Sequence, residues 1–146
     1  MSPFRTIDRR FLASPQIGTG DIAAARELGV TLVVNNRPDG ESDDQPAGAE
    51  IEAAARAAGM DYIAIPVTSA GFGQPQVEAM CEALEGTDGL VLGYCRSGTR
   101  STLLWALAQA SDGADPDAIA AAAAAAGYDV GPVRAAMDML SARAKE

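Results

Sequence analysis

The chain has 146 residues, a formal net charge of -9 from 11 basic and 20 acidic side chains, two cysteines and no histidine. The lack of histidine excludes a Ser-His-Asp triad, a Cys-His pair and any metal or haem site with imidazole ligands. The acidic balance repels phosphate backbones and anionic membrane surfaces, so neither nucleic acid nor a membrane is an expected partner.

Helix and strand signals alternate along the chain. In chain order they predict a helix at 19–28, a strand at 30–34, a helix at 49–58, a strand at 62–67, a helix at 75–86, a strand at 90–94, and helices at 101–110, 115–126 and 133–144. Apolar strands that alternate with helices predict an α/β fold, with a mostly parallel central sheet flanked by helices.

The sequence contains no linker or internal repeat, which predicts a single domain over residues 1–146. Two cysteines are too few for a disulfide framework, and residues 1–11 lack the apolar core of a signal peptide. We therefore expect a cytoplasmic protein with reduced cysteines.

The third predicted strand runs directly into a loop that can bind an anion. The loop reads Tyr-Cys-Arg-Ser-Gly-Thr-Arg-Ser at residues 94–101 and leads into a predicted helix. Successive amides in such a loop and the positive end of the helix dipole stabilise negative charge, and Gly98 permits the backbone angle that closes the loop. The same field, with Arg96 and Arg100 nearby, favours the thiolate of Cys95. An activated cysteine therefore needs no histidine base here, whereas a purely structural cysteine would not require this spacing.

Other conspicuous side chains have structural explanations. Cys81 lies within a predicted helix beside apolar residues, which is typical of a small core residue rather than of a second reactive thiol. Trp105 and Tyr128 are expected in the core or at its rim, because one tryptophan and three tyrosines form no platform on which bases would stack.

Residues 11–67 resemble the beta-lactamase hydrolase-like phosphatase family. The resemblance is carried by Val-Val-Asn-Asn-Arg-Pro-Asp-Gly-Glu at residues 33–41 and by Tyr-Ile-Ala-Ile-Pro-Val at residues 62–67, together with the Cys95 loop. It implies the dual-specificity protein-tyrosine-phosphatase fold, a three-layer phosphatase-like domain with the cysteine loop between a strand and a helix. It also implies that the hydroxyl of Ser101 hydrogen-bonds the thiolate; capping of the helix is the other role open to this serine.

The loop departs from the phosphatase pattern in its length. That pattern has one residue more than the four that separate Cys95 from Arg100. The shorter loop is similar to the active-site loop of single-domain rhodaneses, which carry sulfur as a persulfide on the cysteine. A tighter ring of amides has less room for a tetrahedral phosphoryl group than for a persulfide, so this departure favours sulfur transfer.

Carboxyl groups are missing where the family would place one. Phosphatases of this fold take a general acid from an aspartate in the loop that corresponds to residues 68–73, because the leaving oxygen needs a proton. No carboxyl group occurs in that loop here, and sulfur transfer needs no such acid because a thiolate leaves readily. Asp39, Glu41 and Asp43 could substitute from a neighbouring loop, or could form an exposed acidic turn.

The sequence therefore predicts a cysteine enzyme on a phosphatase-like fold. The first hypothesis is a sulfurtransferase that forms a Cys95 persulfide and passes the sulfur to a thiol acceptor. The alternative is a phosphatase that forms a phosphocysteine, and the third is a non-catalytic module that binds anions or phosphoproteins. Each hypothesis predicts a small anionic sulfur or phosphate ligand, and none requires a cofactor or a metal.

The sequence also predicts which residues form the site. The predicted catalytic residues are Cys95, Arg100 and Ser101, and the predicted substrate-binding residues are Arg96, Ser97, Gly98, Thr99 and Arg37. Arg37 either clamps an anion or pairs with Asp39 or Glu41.

Overall fold

The computed structural model describes residues 3–146, in which strands and helices alternate. The strands of this stretch are β1 (Arg5–Thr6), β2 (Phe11–Ser14), β3 (Val30–Asn35), β4 (Asp61–Ala64) and β5 (Leu90–Tyr94). Its α-helices are α1 (Ile22–Leu28), α2 (Gly48–Ala57), α3 (Gln74–Glu85), α4 (Thr99–Ser111), α5 (Pro116–Ala125) and α6 (Arg134–Ala144). Short 3-10 turns at Thr19–Asp21 and Gly131–Val133 precede α1 and α6.

The strands form one sheet in the order β1-β2-β5-β3-β4. Strand β1 pairs antiparallel with β2, and all other pairings are parallel. Tyr94 at the end of β5 is in register with Ser14 on one side and with Asn35 on the other, and Asn35 is in register with Ala64. The parallel strands therefore end together, and the loops that follow them meet at one edge of the sheet.

Helices cover both faces of this sheet. On one face, the core includes residues from α3, α4, α5 and α6, and on the other it includes residues from α1 and α2. Neighbouring strand residues point to opposite faces: Val34 and Val91 face the first core, whereas Val33 and Leu92 face the second. This three-layer α/β arrangement confirms the predicted fold class.

Cys81 and Trp105 have the structural roles that the sequence indicates. The Trp105 ring stacks on Phe11 with 5.9 Å between ring centroids. Cys81 is partly buried in α3, its Sγ lies 3.6 Å from the carbonyl oxygen of Ala108, and burial raises the pKa of its thiol. Both side chains therefore belong to the packing between the sheet and its helices.

Three strands differ from the prediction: β1 and β2 were absent from it, and β4 is shorter than predicted. Strand β2, which was not predicted, is only four residues long but fully buried, and it pairs directly with β5. Strand β4 ends at Ala64 rather than at Val67, because Pro66 has no amide hydrogen to continue a ladder. Beyond β4 the chain stays hydrogen-bonded to the segment at the end of β3, since Ile65 and Val67 donate backbone hydrogen bonds to the carbonyl oxygens of Asn35 and Asn36.

No helix among residues 3–146 has both the length and the apolar character needed to cross a bilayer.

Candidate active site

Cys95 lies where β5 passes into the loop before α4, and it is 1% exposed. The backbone N–H of Gly98 donates to its Sγ at 3.1 Å. Gly98 has a φ of +93°, in the left-handed region that glycine tolerates without strain, and α4 begins at the next residue. The turn therefore aims a backbone donor at the sulfur and places the positive end of a helix beside it, and both stabilise a thiolate.

Arg100 lies beside Cys95 and is held by a bidentate ion pair. Its Nη1 and Nη2 donate to the two carboxylate oxygens of Glu41, each at 2.8 Å, and Nη1 also donates to the carbonyl oxygen of Val67 at 2.8 Å. The hydrogen bond to Glu41 raises the pKa of Arg100, and the charge of Cys95 adds to this effect against the opposing effect of burial. Three of the five guanidinium N–H groups are thus used, which leaves Nε–H and one Nη2–H to bind an anion.

Glu41 is the carboxylate that this arrangement brings to the site. It accepts from Arg37 Nε at 2.9 Å as well as from Arg100. The Arg100 hydrogen bond is the main cause of a lowered pKa, about 2, which desolvation opposes and Arg37 supports. Glu41 is therefore ionised near neutral pH and has no proton to give to a leaving group. Its role is to orient Arg100.

Arg37 lies near the start of the acidic loop, residues 36–47 between β3 and α2, and its side chain is buried at 4% exposure. Besides the bond to Glu41, Nη1 donates to Gln16 Oε1 at 3.1 Å and Nη2 donates to Ser42 Oγ at 3.2 Å. Of the two roles open from the sequence, the structure shows the pairing with Glu41. Arg37 thereby fixes the carboxylate that holds Arg100.

The other acidic candidates lie in different environments. Asp39 Oδ1 accepts the backbone N–H of Gly48 at 2.8 Å and so fixes the start of α2, while Asp43 is exposed. Neither contacts Arg100 among the hydrogen bonds and ion pairs of residues 3–146.

Ser101 binds a buried asparagine in this structure. Its hydroxyl donates to Asn36 Oδ1 at 2.7 Å, and Asn36 Nδ2 donates to the carbonyl oxygen of Ile65 at 2.9 Å. A hydroxyl has one hydrogen, so Ser101 does not donate to the thiolate while this bond is made. Gly98, and not Ser101, caps α4. Asn36 thus connects the start of α4 to the segments that follow β3 and β4.

The remaining loop residues face the surface to different degrees. Ser97 Oγ donates to Thr99 Oγ1 at 3.0 Å and accepts from the Thr99 N–H at 3.3 Å, which stiffens the turn before α4. Arg96 is exposed. It lines a cavity of about 230 Å³ with a polar set of neighbours: Gln16, Arg37, Ser42, Asp44 and Gln45. Cys95 and Arg100 are not among the residues that line this cavity.

From the sequence, no site role was assigned to Asn36, which was named only within the family-like motif at residues 33–41, or to Tyr128, which was placed in the core or at its rim. The Tyr128 hydroxyl donates to the carbonyl oxygen of Ser97 at 3.2 Å, inside the cysteine loop. The sequence signal that could have indicated this role of Tyr128 is Gly127, because a glycine after a helix reverses the chain and returns the next residue toward the sheet.

The substitution Glu41→Gln tests the electrostatic support of Arg100. Because the folded pKa is about 2 instead of 4.5, ionised Glu41 stabilises the fold above about pH 4.5, and this contribution disappears as the pH falls toward about 2. With solvent screening, we expect Glu41→Gln to lower the free energy of unfolding at pH 7 by about 1 to 2 kcal/mol. The difference in the free energy of unfolding between this variant and wild type should shrink as the pH falls from about 4.5 to about 2, measured by urea unfolding at each pH.

The control is Glu27→Gln, which removes an exposed carboxylate of α1 that forms no ion pair among residues 3–146. An equal pH-dependent loss in both variants would contradict a specific role for Glu41.

Comparison with protein families places most of the chain in one match. The family model described as beta-lactamase hydrolase-like protein, phosphatase-like domain, matches residues 3–112. A beta-lactamase hydrolase-like protein of Xylella fastidiosa is 36% identical over 126 residues, which is 86% of this chain and 29% of that protein. One of Agrobacterium fabrum is 34% identical over 107 residues, or 73% of this chain and 25% of that protein. The chain thus spans less than a third of the length of these relatives.

Solved structures share the architecture. A phosphatase-like protein of Neisseria meningitidis superposes with a TM-score of 0.83 at 31% identity, over 96% of this chain and 99% of that chain. PTPMT1 in complex with PI(5)P gives 0.73 at 14% identity, over 98% and 99% of the two chains. Pseudomonas aeruginosa TpbA in complex with pTyr gives 0.67 at 18% identity, over 99% and 91%. At such identities, the last two show a common fold alone.

These similarities separate the hypotheses drawn from the sequence. They support a cysteine-based, phosphatase-like function, and they give no support to sulfur transfer. The alternative of the sequence analysis is therefore better supported than its first hypothesis.

Proposed function

Because the chain belongs to the phosphatase-like domain family of beta-lactamase hydrolase-like proteins, we propose that it hydrolyses phosphate monoesters with Cys95 as the nucleophile. One observation carries the proposal. The Cys95 sulfur accepts the Gly98 N–H at 3.1 Å, and beside it the Arg100 guanidinium has two N–H groups left for an anion. A nucleophile and an oxyanion site thus occupy one loop.

In the first step, the Cys95 thiolate attacks the phosphorus atom. The S–P bond forms, the ester P–O bond breaks, and the leaving oxygen departs with the electron pair. The free N–H groups of Arg100 and the backbone amides at the start of α4 bind the non-bridging oxygens as their charge is redistributed. Glu41 keeps Arg100 in place through the bidentate pair but supplies no proton, so the leaving oxygen takes its proton from water.

In the second step, water attacks the phosphorus atom of the phosphocysteine. The S–P bond breaks, the electron pair returns to Cys95 as the thiolate, and inorganic phosphate leaves. A proton of the attacking water passes to solvent. The thiolate that Gly98 stabilises is thus both the nucleophile of the first step and the leaving group of the second.

The expected ligand is a phosphate monoester dianion. Arg37, Arg96 and Arg100 lie around the loop together with Glu41 and Asp44, so three positive and two negative side chains leave one excess positive charge there, within a chain of net charge -9. The phosphate-bearing ligands of PTPMT1 and TpbA belong to those proteins, and the phosphate group is what they have in common. For this chain we propose recognition of the phosphate group only, and not of the rest of either ligand.

The test compares phosphoryl with sulfur chemistry on the same protein. Wild type is incubated with p-nitrophenyl phosphate or phenyl phosphate, and separately with thiosulfate or glutathione persulfide, and it is then quenched in acid and weighed intact. We expect phosphate release and no gain of sulfur. Since Glu41 supplies no proton, p-nitrophenyl phosphate should react faster than phenyl phosphate by on the order of 10²-fold.

Two outcomes would overturn the proposal. Gain of one sulfur atom without phosphate release would establish the sulfur transfer that the four-residue spacing from Cys95 to Arg100 favours. Saturable binding of inorganic phosphate with neither reaction would establish a non-catalytic binding module.

A further inference from the structure

We propose that Tyr128 is a positioning residue that strengthens the hydrogen bond from the Gly98 N–H to the Cys95 sulfur. Tyr128 follows α5 and lies outside residues 3–112, the part of the chain that matches the family model. Its hydroxyl nevertheless donates to the carbonyl oxygen of Ser97. The inference deepens the proposed function, because it concerns how that site stabilises its nucleophile.

The argument rests on one peptide unit. The Ser97 carbonyl oxygen, which accepts from Tyr128 at 3.2 Å, and the Gly98 N–H, which donates to Cys95 at 3.1 Å, belong to the same planar peptide group. A donor on the oxygen polarises the peptide and makes its N–H a better donor. Tyr128, the peptide and the sulfur thus form a chain of hydrogen bonds directed toward the thiolate.

Packing fixes the geometry of this chain. Gly98 lies so close to the Tyr128 hydroxyl that a Cβ atom at position 98 would collide with it. The Arg5 guanidinium lies over the face of the Tyr128 ring, with its Cζ 5.3 Å from the ring centroid, and its Nη1 donates to the Ala126 carbonyl oxygen at 3.2 Å. The ring is therefore held between β1 and the cysteine loop, and it restricts the peptide to one orientation.

The end of α5 explains why Tyr128 reaches the loop. Gly127 has a φ of +94°, and its N–H donates to the carbonyl oxygen of Ala124 while the Tyr128 N–H donates to that of Ala123. This is the Schellman arrangement, in which a left-handed glycine reverses the chain after a helix. The alanine-rich helix thus presents a tyrosine to the nucleophile loop.

The Tyr128 hydroxyl keeps its proton, and so remains a hydrogen-bond donor, at neutral pH. Burial raises the pKa of its hydroxyl; Arg5 opposes this effect and the charge of Cys95 adds to it. The charged groups next to the chain of hydrogen bonds are therefore Arg5 at the tyrosine and Arg100 at the sulfur.

The test is Tyr128→Phe, which keeps the ring against Gly98 and Arg5 but removes the hydroxyl. The readout is the rate of Cys95 alkylation by iodoacetamide as a function of pH, with the 240 nm thiolate absorbance as a second measure. We expect the midpoint of thiolate formation to move upward by about 0.3 to 0.6 pH unit, a two- to fourfold smaller thiolate fraction below the midpoint. Thermal unfolding of the variant, followed in parallel, verifies that it is folded.

The matched control is Tyr94→Phe. Tyr94 directly precedes Cys95 and is buried, but its hydroxyl has no hydrogen-bond partner within the described part of the chain. An unchanged midpoint in Tyr128→Phe, or an equal shift in Tyr94→Phe, would overturn the inference. Because alkylation requires no phosphate substrate, this failure can be distinguished from failure of the proposed phosphatase activity.

Discussion

Replacing Cys95 by serine is expected to lower the hydrolysis of p-nitrophenyl phosphate by on the order of 10⁴-fold or more. A thiol loses its proton far more readily than an alcohol, so the loop that favours the thiolate leaves a serine hydroxyl neutral. The Gly98 donor and the Arg100 guanidinium would remain, and the variant should still bind inorganic phosphate. Steady-state rates and phosphate titration by calorimetry measure the two effects separately.

Cys81→Ser provides the matched control, because Cys81 is the other cysteine of the chain and packs in α3 against Ala108. This variant should keep kcat/KM within about threefold of wild type, since its effect is on packing. Retention of most activity in Cys95→Ser, or a comparable loss in Cys81→Ser, would show that the assignment of the nucleophile is wrong.

The local part of the site was predictable from the sequence because adjacent residues create it. Residues 90–111 contain an apolar strand, a cysteine, a glycine and a helix in immediate succession. This order directs the loop amides and the positive helix end toward the cysteine. The structure accordingly places the Gly98 N–H on the Cys95 sulfur. The class of fold followed from the same alternation of strands and helices.

The long-range part was not predictable, because its contacts depend on topology. Glu41 and Arg100 lie 59 positions apart, and Tyr128 lies 31 positions beyond Ser97. Strand β2 was missed for a related reason: four buried residues carry too little periodicity to mark a strand. Its pairing with β5 is nevertheless what brings the Ser14 carbonyl oxygen to the Cys95 N–H.

These contacts change the interpretation of the acidic loop. The sequence left Glu41 open as a substitute general acid, whereas two guanidinium partners lower its pKa to about 2. A proton donor and a bidentate partner for arginine are mutually exclusive roles near neutral pH, because the second requires the ionised carboxylate. In the proposed mechanism the loop therefore orients Arg100 and does not donate a proton.

Arg100→Lys should separate the charge of this residue from its shape. Lysine keeps the positive charge but has no planar fork, so it cannot pair with Glu41 through two parallel bonds and also present two N–H groups to phosphate. We expect kcat/KM for p-nitrophenyl phosphate to fall by on the order of 10² to 10³-fold. Arg96→Lys is the comparison, since Arg96 is exposed, and its effect should stay below about tenfold. If the two substitutions had equal effects, Arg100 would act only through its charge, and the bidentate geometry would have no part in binding the transition state.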